Sequence, residues 1–491
     1  MILTVDLGTT VTKVGLWDRD GLVALAGAAV TTAHPAPGFA EQQPAEWWTS
    51  LAAACAELRD RMPGGFGSVD VVGCTGARQS FALVDAVARP LGPALVWSDH
   101  RAAGEARSLR QARGDAAAGR FDATADATVD AGSTAAKIAW LATHDRGRLE
   151  ASTWLLAPRD LVVWWLTGTV ATDVTMASRT GLYDGTGRID GMLAGLAATR
   201  LAPVFPSDQV VGGVTGPVAE LLGLAAGTPV VIGAGDRASE VLGTGAGEQA
   251  PMVSWGTTAN LSVPLAHPPA QVPPGVVVSA GALGGWLLEA GLSAAGSILA
   301  WLGGVTGRTP EELAALAATS PPGARGVTAT PWLGGARAPW WRHDATAALV
   351  GLEPAHGPGD LARAVVEAVA WDLQRCLQVM VARTPGGPSP THLALAGSGA
   401  SLAVWREVLG GITGLPSVSR RSGQAASAGA ALLAARAVGI PLSLDGADPI
   451  ERQSVPDGEV VRAYQGLRDA ADRTAAAVMG LAGPPSGGTW S

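Results

Sequence analysis

Lysine is almost absent from this 491-residue chain: only Lys13 and Lys137 occur, and the remaining basic residues are arginines. With a net charge of −8 and no Lys/Arg-rich run, a nucleic-acid surface is excluded. The missing lysines also rule out G-x-x-x-x-G-K-[ST], and with it a P-loop nucleotide site. Cysteine is scarce and odd in number. Cys55, Cys74 and Cys376 are scattered, which suits reduced thiols and not a disulfide framework. The seven histidines form no HExxH and have no Cys-x-x-Cys partner, so a zinc centre is not expected. Long apolar runs are lacking as well. The most apolar helical stretch, Leu161–Leu166, is far short of a membrane span. The start, MILTVDLGTT, has neither the basic opening nor the apolar length of a signal peptide. The expectation is a cytoplasmic protein with no membrane and no nucleic-acid partner.

What is present is glycine and proline, about a fifth of the chain, below the level of low-complexity sequence. The glycines must serve turns and close backbone approaches. A length of 491 residues exceeds what one hydrophobic core usually sustains, so two domains are expected. Ile2–Asp6, Thr12–Trp17 and Leu22–Ala26 read as a β-meander, and Pro44–Met62 as an amphipathic helix with Pro44 in its first turn. Val69–Cys74 reads as a buried strand, Gly104–Ser133 as polar helices and loops. Near 228 the pattern restarts. Pro229–Ile232, Met252–Trp255 and Asn260–Val263 read as strands, followed by a helix from Leu361 to about Met380 and a strand Leu393–Ala396. Helices at about 402–409 and 425–438 close the pattern, and the tail from Gly480 is expected to be unstructured. Two domains, 1–227 and 228–491, follow.

Each half carries a strand followed by Gly-Thr-Thr: Gly8-Thr9-Thr10 and Gly256-Thr257-Thr258. A tight turn of small residues offers backbone N–H groups and hydroxyls at the close range a phosphate needs. One such turn is common in hairpins. Two, each after a buried strand and one per half, suggest two jaws on one polyphosphate and a duplicated fold. Asp6, ahead of the first turn, suits Mg²⁺ held through water, or simply caps its turn. Asp236 ends a Val/Ile strand after two glycines. It suits the base that accepts a hydroxyl proton in phosphoryl transfer, or a helix N-cap. The run Gly233–Ala238 also has the G-x-G-x-x-G/A form of a dinucleotide site. It lies mid-chain with no second βαβ unit and ribose-binding acid, which argues against that use.

Taken together, these motifs resemble the FGGY family of carbohydrate kinases, in a layout similar to xylulokinases. The resemblance runs over nearly the whole chain: Asp6–Thr10, Glu41–Pro44 with Trp47-Trp48, Trp97–Arg101, Gly233–Asp236, Ser254–Thr258, Pro331–Pro339 and Leu395–Ala400. It implies an α/β, two-domain actin/hexokinase/Hsp70-like (ribonuclease H-like) fold with a central cleft. It implies ATP as co-substrate with Mg²⁺, and transfer to a hydroxyl of a small sugar such as D-xylulose; a polyol or sugar acid is the alternative. An inactive ATP-binding regulator of the same fold is a further alternative, against which Asp6, Asp236 and both turns speak. By the resemblance, Gly8, Thr9, Thr10, Gly256, Thr257 and Thr258 bind the phosphates, and Gly397, Gly399 and Ala400 face the adenosine. Asp236 is the base, Asp6 and Asp236 serve the metal, and Arg78, Gln79, Asp99, Asp236 and Arg237 surround the sugar. Three positions depart from xylulokinases. Arg78-Gln79 stands for Met-His, Arg237 for Asn, and Ala336 for Glu; Arg78 is similar to the arginine with which glycerol kinases hold their substrate. The two arginines suggest an anionic or oxygen-rich acceptor, unless neighbouring carboxylates neutralise them. A homodimer is left open.

Overall fold

The computed structural model describes residues 1–62, 64–116, 129–183, 200–269, 272–273, 275–342, 344–382 and 389–481. The expected meander forms as β1 (Ile2–Leu7), β2 (Val11–Asp18) and β3 (Gly21–Ala29), antiparallel throughout. Three more strands complete the first sheet: β4 (Val71–Gly76), β5 (Val210–Gly213) and β6 (Pro229–Gly235), in the order β5-β6-β4-β1-β2-β3. The second sheet holds β7 (Met252–Trp255), β8 (Ala259–Leu265), β9 (Val277–Ala280), β10 (Trp286–Leu292), β11 (Leu393–Ala396), β12 (Ser417–Arg420) and β13 (Ile450–Ser454). Its order is β9-β10-β8-β7-β11-β12-β13.

The weak sequence repeat is a full repeat of topology. In each sheet a three-strand antiparallel meander continues from its first strand into two parallel strands: β3-β2-β1-β4-β6 and β10-β8-β7-β11-β12. One expectation is corrected. Pro229–Ile232 does not open the second half; as part of β6 it pairs in parallel with β4 in the first sheet. Sheet membership changes only across 245–251, not at 227/228. An apolar strand after a long gap carries no mark of which sheet it will join. Of the tail, 482–491 lies outside the described residues, and Gly480 and Leu481 still belong to the helix Gly458–Leu481.

Alternation along β1 sorts its side chains to two faces. Leu3, Val5 and Leu7 pack under the helices α1 (Pro44–Arg61) and α2 (Pro158–Thr167) in the core of the first lobe. Ile2 packs on the other side, with Trp17, Val71 and Val231, against alanines of a helix from far along the chain. That helix is α5 (Ala425–Val438), which crosses α3 (Asp236–Thr244); the long helix α4 (Pro358–Ala382) lies in the core of the second lobe. Small residues let α3 and α5 touch backbone to backbone. A Cβ on Gly243 would lie 1.9 Å from the Ala425 carbonyl oxygen, and one on Gly429 would lie 2.0 Å from that of Ser239. Ser427 of α5 also meets Thr4 Oγ1 at 2.6 Å and accepts from Trp17 Nε1 at 2.9 Å, tying the late helix to the first sheet.

Candidate active site

Parallel register lines up the motifs that the sequence scatters. Leu7 of β1 and Gly235 of β6 both pair with Gly76 of β4. The turn Gly8–Thr10, the segment Ala77-Arg78-Gln79 and Asp236 therefore emerge side by side at the carboxyl edge, where open α/β sheets bind ligands. In the second sheet Ser254 pairs with Ala396, so Gly256–Thr258 and the loop from Gly397 emerge together in the same way.

The first turn is held from outside. Trp97 Nε1 donates to Thr9 Oγ1 at 2.8 Å, and Gln42 Nε2 donates to the Thr9 carbonyl at 2.6 Å. The N–H groups of Gly8, Thr9 and Thr10 donate to no other described residue and remain available. In the second turn Gly256 N–H bonds to the Thr258 carbonyl at 2.9 Å, while the Gly256 and Thr257 carbonyls accept from 295–297 at the start of the next helix. Gly397 has φ +83°, and a Cβ there would lie 2.3 Å from the Trp255 carbonyl oxygen, so only glycine allows this loop to lie on the end of β7.

Asp236 is the first residue of α3. Its Oδ1 accepts from its own helix, Arg237 N–H at 2.8 Å, and from Arg78 Nε at 3.2 Å. Its Oδ2 has no protein partner among the described residues, and the side chain is 37% exposed. The two glycines before it are explained without a dinucleotide. β6 slips register between Val231 and Ala234, Gly233 takes φ +72°, and a Cβ there would lie 1.6 Å from the Cys74 carbonyl oxygen. Gly235 gives room to the Arg78 side chain, whose Cγ would stand 2.6 Å from a Cβ.

Arg78 joins the lobes. Its Nη1 and Nη2 fork onto Glu289 of β10 at 2.8 and 2.5 Å while Nε holds Asp236. Glu289, buried and also bonded by Ser279 Oγ, would be raised by desolvation; Arg78 overrides this and holds the carboxyl down at about 2. Sequence reading missed Glu289, although a lone carboxylate inside the apolar strand WLLEAGL is itself a signal. Gln79 adopts φ +60°, a strained position for a side-chain-bearing residue. Its carbonyl accepts from buried Lys137 Nζ at 2.6 Å, and Val96 supplies a second acceptor at 2.9 Å.

Two expected sugar contacts are not free. Asp99 is fully buried, and its carboxylate is taken by Arg101 Nε and Nη2 and by the Ala40 and Arg101 N–H groups. Arg237 Nη1 pairs with Glu240 Oε2 at 2.6 Å one turn on in α3. Ala400 is buried, with its carbonyl accepting from Arg406.

Asp6 lies on β1 beside Lys13 of β2. Burial raises its carboxyl to about 7; Lys13 opposes, and Asp236 and Glu240 add to the rise. Among the described residues no three metal-ligating side chains group together. That donor set does not cage a metal by itself. It fits a Mg²⁺ that arrives on phosphates and keeps its waters, with Asp6 as a carboxylate for the water shell.

Two lobes of repeated topology, each with a turn of small residues at the carboxyl edge of its sheet, are joined by the Arg78–Glu289 pair. Residues 1–243 match the N-terminal domain, and 252–438 the C-terminal domain, of the FGGY family of carbohydrate kinases; the chain belongs to that family and has its actin/hexokinase-like fold. It is 31% identical over 483 residues to a xylulose kinase of Escherichia coli, covering 96% of this chain and 97% of that one. It is equally 31% identical over 484 residues to a glycerol kinase of Methylibium petroleiphilum, covering 90% and 92%. Among solved structures, a xylulose kinase from Rhodospirillum rubrum superposes with a TM-score of 0.85 at 26% identity, covering 98% and 99%. No helix among the described residues is long and apolar enough to cross a membrane.

Proposed function

We propose that this kinase transfers the γ-phosphoryl group of ATP to a hydroxyl of a small neutral sugar, with D-xylulose as the first candidate and Asp236 as the base. The observation that carries this reading is the asymmetry of the Asp236 carboxylate: Oδ1 is fixed by Arg78 and by its own helix, and Oδ2 is open to the cleft. The acceptor hydroxyl gives its proton to Oδ2 as its oxygen bonds to the γ-phosphorus and the bond to the ADP oxygen breaks. The turns Gly8–Thr10 and Gly256–Thr258 receive the phosphates, and Gly397, Gly399 and Ala400 flank the adenosine. When bound, Mg²⁺ would supply charge neutralisation on the phosphates, and Asp6 and Asp236 would be the carboxylates that serve it.

Pairing of Arg78 with Glu289 and Asp236, and of Arg237 with Glu240, removes the reason to expect an anionic acceptor. The xylulose kinase relative supports a ketopentose. Arg78, with the glycerol kinase relatives, supports glycerol as the second reading. Asp236→Ala should lower turnover by about 10²–10⁴-fold while ATP still binds. Near wild-type turnover in this variant refutes the base. Coupled ADP release with D-xylulose, xylitol, glycerol and gluconate separates the acceptors.

A further inference from the structure

Arg179 follows the short helix Val174–Ala177 and is only 9% exposed. Its neighbour Ser178 accepts the Ala280 N–H at 3.1 Å, so this stretch of the first lobe rests on β9 of the second. A guanidinium buried in such a place is ordinarily enclosed by carboxylates and carbonyls. Arg159 shows the ordinary case, bonded to Asp160, Asp173 and the Gly233 carbonyl. Arg179 does not follow it. Its one hydrogen bond is long, Nη2 to Gln79 Oε1 at 3.4 Å. Its Nε is buried without a partner, and its Nη1 bonds to no described residue. Of the two carboxylates that act on it electrostatically, Glu289 already has both oxygens on Arg78, and Asp130 is paired with Arg337.

The residue that meets Arg179 is the strained one. Gln79 is kept at φ +60° with its carbonyl on Lys137, directly after Arg78, which touches Asp236. Strain of this kind persists where surrounding structure imposes it, often at ligand sites. The charges nearby are already matched. Arg78 faces Glu289 and Asp236, Arg237 faces Glu240, and Arg337 has Asp130 at 3.9 Å. What Arg179 lacks is oxygen acceptors for its N–H groups.

We infer that Arg179 is a specificity-determining residue that receives the acceptor's oxygens at the end away from the hydroxyl being phosphorylated. The acceptor is then a sugar long enough to carry oxygens there, a ketopentose or pentitol and not a three-carbon polyol. This rests on the reading of the cleft as a sugar-kinase site with Asp236 as base.

The test compares wild type with Arg179→Met, which keeps length and removes donors, and Arg179→Lys, which keeps charge and removes the fork. The readouts are KM and kcat for D-xylulose, xylitol, glycerol and gluconate, KM for ATP, and the melting shift each acceptor induces. Arg179→Met should raise KM for D-xylulose and xylitol by about 10–100-fold, the span of hydrogen bonds to a charged group, with the ATP KM unchanged and glycerol unaffected. Arg179→Lys should fall between, and it decides the matter if the Met variant shows no cooperative unfolding. An unchanged D-xylulose KM, or an equal rise for glycerol, overturns the role of Arg179. A wild-type preference for gluconate overturns the ketopentose or pentitol acceptor. If wild type binds ATP yet neither binds nor phosphorylates any of the four, the sugar-site reading itself falls, and this inference with it.

Discussion

Replacing Glu289 by glutamine tests the cross-lobe pair most directly. The carboxylate is nearly inaccessible, and both its oxygens face the Arg78 fork. Moving a carboxyl from its ordinary 4.5 to about 2 corresponds to about 3 kcal/mol in favour of the ionised, folded state. Breaking a buried pair from one side costs about 3–5 kcal/mol by a separate route, because the remaining charge stays buried. The two agree, so Glu289→Gln should lose about 3 kcal/mol, read by urea unfolding. The sign with pH is fixed by the direction of the shift. A carboxyl held below its unfolded value contributes fully above about 4.5 and loses that contribution as pH falls toward 2. The gap between wild type and variant should therefore be the same at pH 5.5 and pH 8, and should narrow below 4.5. The variant should also turn over more slowly, since the freed Arg78 fork can close on Asp236. A loss under about 1 kcal/mol, or a gap that changes between pH 5.5 and 8, would refute the reasoning that this pair is charged and holds the lobes together.

Lys137 should give the opposite pH trend: burial lowers its amine to about 7, so the unfolded chain binds its proton more readily. The contribution of Lys137 to stability should rise by about 2 kcal/mol from pH 7 to pH 9, read as the change in the gap between wild type and Lys137→Met in urea unfolding at the two pH values. Gly429→Ala, which in an unconstrained helix would add about 1 kcal/mol, should instead cost about 3 kcal/mol or more. The new Cβ would lie 2.0 Å from the backbone oxygen of Ser239, which no side-chain rotation can relieve; a variant as stable as wild type by thermal unfolding would show that α3 and α5 separate easily.

Local pattern alone placed most of the elements. Met252–Trp255, Leu393–Ala396 and Ala425–Val438 have the bounds that apolar runs and a terminal glycine indicate, because such elements are set by period and caps. The phosphate-sized turns and the carboxylates Asp6 and Asp236 were legible for the same reason: turn chemistry is written in consecutive residues. Partnership across the fold was not. Which sheet takes Pro229–Gly235 depends on the neighbour that β4 offers, far away in sequence, as in the pairing of Val230 with Val72. The bulge at Gly233 turns an apparent dinucleotide fingerprint into a support for Asp236. The partners of Asp99, Arg101 and the Ala40 N–H, are brought to it by the fold. Glu289 and Arg179 meet Arg78 and Gln79 from a strand and a loop with no motif of their own. The sequence by itself determined the elements, the two turns and the carboxylates at the strand ends, since these rest on neighbouring residues. Tertiary structure decided which charges are matched and which donors stay free, since pairing energies act through space between residues that the chain order keeps apart.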